Sequence, residues 1–502
     1  MLFDLLKKTV SEYSEKTAIK FEDHTITYSK LYEIILKFAN GLLNLGVEKG
    51  DRVIILLPNL PHFIFAYYAL LKIGAIIVPI NPLLKEKEIQ YIFNETQPSA
   101  FIVWGGFYNR VVNLVNGCKN IIVLGKETPA EVKSLTNIIA TSSIDAPEID
   151  ISIEDTAQIQ FTAGAVNSPK GVELTHQSLT ATTLSCINIF EIKSTDIFGG
   201  LLPLFLLYSQ NLAMNSCLLQ GARLILYPKL NLTSIKKAVF QDEVTFLAGS
   251  PNIFQMLLES EPEKESAIPL KYALSIGSAC NEDLLISFKQ QFGIHILEGY
   301  GITEASAIIT YNRKEPDQKN GSVGLPIDCT KIKIVDENDG ELEHGEIGEI
   351  LVTGENIMKG YWNQPFEQNC VFKDGWIYTG DLGKIDNEGF LYFIDRKEDV
   401  ILKGGFHIYP GEVENILLKH PKVAQISIIS VPHAIHRQEV KACIVLKKDQ
   451  QATSEEIIEF CKEQVPVYKC PQIVQFYNSL PKSATGKILK RKLRKQLIKG
   501  TE

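Results

Sequence analysis

The stretch RVIILLPNLPHFIFAYYALLKIGAIIVPI, residues 52–80, decides the fold class. Its two ends, RVIILLP (52–58) and AIIVPI (75–80), are short apolar runs of the kind that forms strands buried on both faces. Lys72 and Gly74 interrupt the apolar segment between them, so residues 63–80 are predicted as a buried helix followed by a buried strand, not as a membrane span. A strand–helix–strand unit predicts a parallel sheet.

The same alternation continues along the chain of 502 residues, a length that suggests about three globular units. AFIVW (100–104), NIIVLG (120–125) and ARLILYP (222–228) are predicted strands, and helix-period segments lie at 28–45 and 85–94. After residue 320 the turns become dense, and short α/β segments return from residue 396. We therefore predict an α/β fold. Residues 1–395 would form a large N-terminal domain of two mostly parallel α/β sheet subdomains plus a β-rich subdomain, and residues 396–502 a small, mobile α+β C-terminal domain on a hinge.

Composition argues against a nucleic-acid-binding protein, a disulfide-bonded protein and a zinc protein. A net charge of −8 gives no reason to expect nucleic acid as a partner. Nine cysteines without a CxxC pair predict reduced thiols in a cytoplasmic protein, not a disulfide framework or a zinc site. Residues 487–499 carry seven basic side chains, which form either a solvated terminal helix or a patch for phosphates or an anionic partner.

The stretch QFTAGAVNSPKGVELTH (160–176) is predicted to be a phosphate-holding loop between a strand and a helix. Lys170 would supply a cation, and Thr175 could cap the helix that follows. The stretch is not the GxxxxGK[ST] nucleotide loop, because no Ser or Thr directly follows Lys170. Taken alone it also fits an ordinary surface turn.

Further motifs follow in a fixed order: EGYGITE (298–304), GSVGLP (321–326), GWIYTGDLG (375–383), DRKEDVILKGGFHIYPGEVE (395–414) and LPKSATGKILKR (480–491). In order and spacing they resemble the adenylate-forming superfamily of acyl-CoA synthetases, peptide-synthetase adenylation domains and luciferases, over essentially the whole chain. EGYGITEASAIITYN resembles medium- and long-chain fatty acyl-CoA synthetases more than it resembles peptide-synthetase adenylation domains. The resemblance implies a carboxylic acid, ATP and Mg²⁺ giving an acyl-adenylate and pyrophosphate, then coenzyme A giving a thioester after rotation of the C-terminal domain.

The resemblance also implies roles for residues. Lys487 would bridge the carboxylate and the α-phosphate, Thr303 would contact the α-phosphate, and Glu304 would be the Mg²⁺ ligand. One carboxylate beside phosphate oxygens suits magnesium. The set implied for ATP and AMP binding is Thr162, Gly164, Lys170, Gly277, Ser278, Ala279, Gly299, Tyr300, Gly301, Thr303, Asp381, Arg396 and Lys487.

The other roles concern the hinge, the thiol and the acid. Glu398 stands at the hinge position, where relatives usually have Asp or Lys. The implied coenzyme A contacts are Lys403, Gly404 and Gly405. The implied acyl pocket consists of Leu206, Tyr208, Ser209 and Ile302. Relatives often have PLFHxxG here, and Leu206 and Ser209 replace its His and Gly, which keeps the lining apolar.

A second departure affects the loop. Relatives usually have TSGTTGxPKG where this chain has TAGAVNSPKG, so three hydroxyl partners for the β- and γ-phosphates are missing. We interpret the site as modified but functional, with weaker ATP binding as a hypothesis; an inactive remnant that still binds acyl groups or nucleotide is the alternative. The acceptor could instead be the phosphopantetheine of an acyl carrier protein, and the acid could be aromatic. Oligomeric state and peripheral membrane contact are left open.

Overall fold

The computed structural model describes residues 1–125, 132–145, 147–162, 169–260, 268–314, 318–364, 371–403, 406–433, 437–482 and 488–499. The chain divides into two compact units. The first comprises Met1–Lys319, Gly324–Lys331 and Thr353–Ile377, and the second comprises Asn320–Val323, Ile332–Val352 and Tyr378–Glu502. This division assigns residues 378–395 to the second unit. The domain boundary after residue 395, which the return of short α/β segments from residue 396 suggested, stays a prediction.

The strands are given in chain order. They are β1 (Thr17–Phe21), β2 (His24–Thr27), β3 (Arg52–Leu56), β4 (Ile76–Pro79), β5 (Ala100–Trp104), β6 (Asn120–Leu124), β7 (Lys133–Ser134), β8 (Thr156–Phe161), β9 (Gly171–Thr175), β10 (Ile197–Gly200), β11 (Arg223–Leu226), β12 (Phe246–Gly249), β13 (Tyr272–Ile276), β14 (Ile296–Tyr300), β15 (Thr310–Tyr311), β16 (Leu325–Pro326), β17 (Thr330–Val335), β18 (Gly348–Gly354), β19 (Gly360–Tyr361), β20 (Phe372–Lys373), β21 (Trp376–Ile385), β22 (Leu391–Arg396), β23 (Ile401–Lys403), β24 (Phe406–Ile408), β25 (Val423–His433), β26 (Arg437–Leu446) and β27 (Ile473–Phe476).

The helices connect these strands. They are α1 (Leu2–Tyr13), α2 (Tyr28–Asn44), α3 (Pro61–Ile73), α4 (Glu86–Thr96), α5 (Gly105–Val111), α6 (Leu135–Thr141), α7 (His176–Ile189), α8 (Ser216–Leu219), α9 (Leu232–Lys236), α10 (Pro251–Leu258), α11 (Glu282–Phe292), α12 (Pro410–Leu417), α13 (Ser454–Lys462) and α14 (Lys490–Lys499). Short 3₁₀ turns occupy Thr303–Ala305, Lys397–Asp399 and Val467–Lys469, and π-helical turns occupy Ser209–Asn215 and Lys237–Gln241.

Two large sheets form within the described part of the first unit. One has eight strands in the order β19-β9-β8-β4-β3-β5-β6-β7, and its β8–β4–β3–β5–β6–β7 portion is parallel. The other has nine strands in the order β16-β15-β14-β13-β12-β10-β11-β1-β2, and it is parallel from β14 to β1. Helix α3 is buried on almost every side, which explains why apolar residues occupy all of its faces. The prediction of a helix followed by a strand across residues 63–80 is confirmed.

Two five-stranded sheets complete the described strands. One has the order β17-β18-β21-β20, with β22 beside β21, and it contains the turn-rich segment that the sequence predicts to be β-rich. The other lies in the second unit, has the order β24-β23-β26-β25 with β27 beside β26, and packs against helices α12 and α13. The predicted α/β class with a small mixed C-terminal part is confirmed. Among the described helices, none has both the length and the apolar character needed to cross a membrane.

Candidate active site

Glu304 lies in a tight turn directly after strand β14. The 3₁₀ turn Thr303–Ala305 is followed by Ser306 and Ala307, which both have positive φ angles, 52° and 72°. The backbone N–H of Ile309 then donates to the carbonyl of Tyr300 at 2.8 Å. A Cβ atom on Gly301 would lie 1.9 Å from the carbonyl oxygen of Ala307. Glycine is therefore required at this position, because the backbone of the turn passes too close for any side chain.

Buried amides and a buried hydroxyl hold this turn in place. The side-chain N–H₂ of Asn211 donates to the carbonyl of Ser306 at 2.9 Å, and that of Asn356 donates to the carbonyls of Ala305 and Ile308 at 3.2 and 3.0 Å. The Ser306 hydroxyl donates back to the Asn356 carbonyl at 2.8 Å. Sequence reasoning missed both asparagines, because Asn211 lies 95 positions from Ser306 and Asn356 lies 51 positions from Ala305, so neither gives a local signal. They make the turn rigid.

The stretch 160–176 forms a hairpin, which corrects the prediction of a loop between a strand and a helix. Strand β8 pairs antiparallel with β9, with Phe161 opposite Gly171. The N–H of Thr162 donates to the Lys170 carbonyl at 2.9 Å, and the N–H of Lys170 donates to the Thr162 hydroxyl at 3.2 Å. The retained Gly164 and the replaced residues Ala163, Ala165, Val166 and Asn167 lie outside the described residues. The Thr162 hydroxyl thus closes the base of the hairpin.

The predicted helix cap at Thr175 is confirmed, but a strand precedes it. Helix α7 begins after β9, and the Ser178 N–H donates to the Thr175 hydroxyl at 3.1 Å. The intervening strand buries one face and pairs on the other: Val172 and Leu174 are fully buried, and the partly buried Glu173 accepts a hydrogen bond from the Thr156 hydroxyl at 2.9 Å. Strand β9 therefore separates Lys170 from the start of helix α7.

Tyr361 connects the hairpin with the Glu304 turn. Its hydroxyl donates to Oε1 of Glu304 at 2.8 Å, and the Nζ of Lys170 lies 4.5 Å from the centroid of its ring. Burial, followed by the nearby Glu304 carboxylate, raises the pKa of the Tyr361 hydroxyl well above its ordinary range. Oε2 of Glu304 accepts no hydrogen bond among the described residues, so one carboxylate oxygen is available for a cation.

The predicted residues Gly277, Ser278 and Ala279 form an exposed loop from the carboxyl end of β13 to the start of α11. Gly277 has φ +94°, and a Cβ there would meet no atom within 4 Å, so the glycine is needed for its backbone conformation. The side chain of Asn281 caps α11 by accepting the Leu284 N–H at 2.7 Å. Loops at the carboxyl ends of parallel strands are where α/β sheets commonly bind ligands.

Glu298 holds the end of this loop at Cys280. It lies opposite Ser275 in the β13–β14 pair, and its Oε1 accepts the backbone N–H of Cys280 at 2.7 Å. Burial raises the pKa of the Glu298 carboxyl from 4.5 to about 7. Burial and the nearby Glu298 also raise the pKa of the Cys280 thiol, which donates to the Ser275 hydroxyl at 3.5 Å. A buried carboxyl with a near-neutral pKa next to a candidate nucleotide loop was not predicted.

The adenine candidate Tyr300 is buried at the end of β14 and lies opposite Thr310 of β15. The neighbouring Gly299 lies opposite Tyr311, and a Cβ on Gly299 would come within 2.5 Å of the Tyr311 ring. The glycine therefore allows the aromatic ring of the next strand to pack onto β14.

The four acyl-pocket residues divide into a buried pair and a half-buried pair. Tyr208 and Ser209 are buried, and their hydroxyls are already bonded: Tyr208 to the hydroxyl of Tyr311 at 2.8 Å, and Ser209 to the carbonyl of Leu202 at 3.2 Å. Leu206 and Ile302 are half-buried. Satisfied hydroxyls present mainly carbon atoms to a ligand, which agrees with an apolar lining.

Asp381 and Arg396 form a cross-strand pair in the second unit. They lie opposite each other on β21 and β22, with Arg396 Nε 3.4 Å from Asp381 Oδ1. The turn before Asp381 is fixed by Glu349, which accepts the Gly380 N–H at 3.1 Å and pairs with Lys397 at 2.7 Å. The structure therefore brings together the two residues that the resemblance assigns to the ribose.

The hinge and thiol candidates also belong to the second unit. Glu398 is exposed in the 3₁₀ turn Lys397–Asp399, with Oε1 3.8 Å from Nη1 of Arg396. Lys403 forms a 2.5 Å ion pair with Glu439, and both residues line a cleft of about 460 Å³ together with His433, Gln472 and Ile473. Gly404 and Gly405 lie outside the described residues.

The C-terminal basic stretch is partly described. Lys487 lies outside the described residues, and Lys482 and Ile488 on either side of that segment form a β-bridge. Helix α14 buries Leu493, and its Lys490 pairs with Glu414 at 2.9 Å. Arg494 pairs with Asp399. The helix is therefore packed through at least one side chain, and part of its charge is neutralised within the unit.

Comparisons with known proteins agree with these features. The family model of the AMP-binding enzymes matches residues 6–362, and that of the AMP-binding enzyme C-terminal domain matches residues 412–487. The chain is 34% identical over 528 residues to a long-chain-fatty-acid–CoA ligase of Bacillus subtilis (strain 168), covering 98% of this chain and 94% of the relative.

Solved structures agree over the full length. The ATP-bound crystal structure of MatB from Rhodopseudomonas palustris has a TM-score of 0.93 and 27% identity, covering 100% of both chains. The anthranilate CoA ligase AuaEII in complex with anthranoyl-AMP has a TM-score of 0.92 and 26% identity, covering 100% of this chain and 98% of the other. The fold and the candidate site thus define an enzyme of the adenylate-forming class. The chain belongs to the AMP-binding enzyme family, and the family prediction is confirmed.

Proposed function

We propose that this chain is an AMP-forming acyl-CoA synthetase that activates a medium- or long-chain fatty acid with ATP and transfers the acyl group to coenzyme A. The observation that carries the proposal is similarity over 98% of the chain, at 34% identity, to a long-chain-fatty-acid–CoA ligase. The Glu304 turn, the hairpin that carries Lys170 and the Asp381–Arg396 pair supply groups that such a reaction needs.

In the first step a fatty acid carboxylate attacks the α-phosphorus of ATP, forming the acyl-adenylate and releasing pyrophosphate. Two anions meet, so cations and oriented N–H groups must offset the developing charge. Lys487 is the proposed cation for the α-phosphate, and the Thr303 hydroxyl is a second proposed contact of that phosphate. Lys170 and the backbone of the hairpin would bind the pyrophosphate end, and the loop at Gly277, Ser278 and Ala279 together with Tyr300 would bind the nucleoside.

The residues fit a bound Mg²⁺ that is shared with the nucleotide. Glu304 offers one carboxylate oxygen, and within the described part of the chain no three His, Cys, Asp or Glu side chains converge to hold a metal by themselves. Magnesium accepts one carboxylate plus phosphate oxygens and waters. When bound there, it would neutralise phosphate charge. The protein's own contribution is the fixed orientation of the Glu304 carboxylate.

In the second step the thiol of coenzyme A attacks the acyl carbonyl, the C–O bond to AMP breaks, and a thioester and AMP leave. Lys403, Gly404 and Gly405 are the proposed contacts of the pantetheine arm, after a rotation about Glu398. The pantetheine arm is uncharged, so the Lys403–Glu439 ion pair could stay intact beside it. Asp381 would accept the ribose hydroxyls of the nucleotide in both steps.

An aromatic acid is the second candidate substrate. The anthranilate CoA ligase, which is similar over the whole chain, supports it. Against it stand the half-buried Leu206 and Ile302 and the satisfied hydroxyls of Tyr208 and Ser209, which favour an alkyl chain.

The test is pyrophosphate release from purified protein with ATP and Mg²⁺, using straight-chain acids from acetate to palmitate plus benzoate and anthranilate. Each acid is assayed with coenzyme A, with a phosphopantetheine-loaded carrier protein, and with neither, and Lys487→Ala serves as the matched control. Turnover that requires coenzyme A on a band of alkyl chain lengths supports the proposal. Turnover with aromatic acids alone refutes the fatty acid assignment. ATP binding without pyrophosphate release from any acid refutes the enzymatic one.

A further inference from the structure

The segment 358–362 is joined to two parts of the candidate site at once. The N–H of Met358 donates to the backbone carbonyl of Glu304 at 2.8 Å. Two residues later strand β19 pairs with β9, where Tyr361 lies opposite Val172, and the N–H of Trp362 donates to the Gly171 carbonyl at 2.7 Å. The backbone of Tyr361 is therefore fixed relative to both the hairpin and the turn.

The side chain of Tyr361 is restrained as well. The residue is 5% exposed, its hydroxyl donates to Oε1 of Glu304 at 2.8 Å, and the Lys170 ammonium lies over its ring at 4.5 Å from the centroid. A fixed donor on one oxygen of a flexible carboxylate selects one orientation of the group and directs the other oxygen. Nothing else among the described side chains donates to the Glu304 carboxylate.

We infer that Tyr361 is a positioning residue for magnesium: its hydroxyl holds the Glu304 carboxylate so that Oε2 faces the metal of the Mg²⁺–ATP substrate. This inference rests on the proposed role of Glu304. Hydrogen-bond partners of metal ligands orient those ligands, and their loss typically costs about 10- to 100-fold in metal affinity or activity. Tyr361 touches neither ATP nor the acid in this scheme and acts only through Glu304.

The perturbation is Tyr361→Phe, which removes the hydroxyl and keeps the ring beneath Lys170. Tyr227→Phe is the matched control, because the Tyr227 hydroxyl donates to Asp242 at the same distance, 2.8 Å, and Tyr227 is equally buried. Isothermal titration calorimetry measures ATP binding in the presence of EDTA and over a series of Mg²⁺ concentrations. No turnover is needed for this readout.

We expect Tyr361→Phe to raise the Mg²⁺ concentration for half-maximal enhancement of ATP binding by about tenfold or more. ATP affinity in EDTA should stay within about twofold of the wild type, and Tyr227→Phe should match the wild type in both conditions. An unchanged Mg²⁺ dependence in Tyr361→Phe overturns the inference. An equal loss of ATP affinity with and without Mg²⁺ also overturns it, because that result describes a general structural defect.

Glu304→Gln separates this inference from the proposed function. If Glu304→Gln abolishes the Mg²⁺ dependence while Tyr361→Phe leaves it intact, Glu304 is a ligand and Tyr361 does not position it. If the wild type shows no Mg²⁺ dependence, the metal role of Glu304 and this inference both fail, while the acyl-CoA synthetase proposal still stands or falls on pyrophosphate release.

Discussion

Glu298 gives the most quantitative prediction, because a carboxyl buried inside the first unit must make stability depend on pH. The side chain is 7% exposed, it accepts one backbone N–H from Cys280, and the Cys280 thiol is the titratable group that faces it from the neighbouring loop. Beyond Ser275 lies the Tyr311 hydroxyl, which donates to the Ser275 carbonyl at 3.2 Å. Burial raises the pKa of Glu298 from 4.5 to about 7.

The sign follows from the two states. Below pH 4.5 the carboxyl is protonated in both the folded and the unfolded chain, so the raised pKa costs nothing. As pH rises from 4.5 toward 7, the unfolded chain releases its proton while the folded chain keeps the carboxyl protonated, so folding stability falls across this window. Above pH 7 the folded chain ionises as well, and the loss levels off. The rise in pKa corresponds to a loss of about 3 kcal/mol of folding free energy at pH 8, and of less than about 1 kcal/mol at pH 5, since one pKa unit equals about 1.4 kcal/mol.

Glu298→Gln keeps an oxygen that can accept the Cys280 N–H and removes the titration. The variant should therefore gain about 2 kcal/mol relative to the wild type when the pH is raised from 5 to 8. Urea unfolding followed by tryptophan fluorescence is suited to this measurement, because Trp104, Trp362 and Trp376 all belong to the first unit. The exposed Glu154, changed to Gln, is the control for loss of a surface charge.

A stability difference between Glu298→Gln and the wild type that is the same at pH 5 and pH 8 would refute the reasoning. So would a larger advantage of the variant at pH 5. An independent check is the infrared difference spectrum between wild type and Glu298→Gln, which should contain a protonated carboxyl band at pH 6 and lose it by pH 9.

Three further predictions concern the loop, the tail and the helix cap. Lys487→Ala should abolish adenylate formation, measured as pyrophosphate release, and should leave thioester formation from supplied acyl-adenylate largely intact; equal loss of both half-reactions would disprove the assigned role. Restoring hydroxyls with Ala163→Ser, Ala165→Thr and Val166→Thr should lower the KM for ATP about tenfold or more, because one hydrogen bond to a charged group is worth roughly 1.5–3 kcal/mol, and an unchanged KM would show that the hydroxyls are dispensable here. Thr175→Ala should cost about 1 kcal/mol of unfolding free energy in the first unit by loss of the cap on α7, measured by tryptophan fluorescence in urea, whereas Thr175→Ser should cost little.

The large sheets could be predicted because their strands are buried on both faces. Runs such as RVIILLP and ARLILYP are continuous and apolar, and they appear as β3 and β11 within two residues of the predicted limits. The amphipathic helices α2 and α4 follow from their 3.6-residue periodicity in the same way. A buried strand or helix face requires apolar residues at regular local positions, so these elements could be identified without knowledge of their neighbours.

The hairpin could not be predicted, because what makes β9 a strand lies far away in the chain. VELT contains a central Glu173, and the helix signal from Thr175 onward dominates the local pattern. The pairing of β9 with β19 joins residues 172 and 361, and the sequence around neither residue indicates this pairing. The same holds for Tyr361 and Asn356, which are brought to the Glu304 turn by this pairing and by side-chain hydrogen bonds.

The hairpin geometry bears on whether the altered loop still works. Its base is closed by the bonds between Thr162 and Lys170, and β9 is fixed on its other edge by β19. The bonds that close this base join Thr162 and Lys170, which both match the usual pattern of relatives, whereas the replaced positions 163, 165, 166 and 167 lie between them in the sequence. Lys170 and Glu304 contact the same Tyr361, and the hydroxyl that supports the Lys170 backbone among the described residues belongs to the retained Thr162. The substitutions should therefore weaken the grip on the leaving pyrophosphate while leaving the metal and α-phosphate groups in position, which makes a raised KM for ATP, and not a lost activity, the expected consequence.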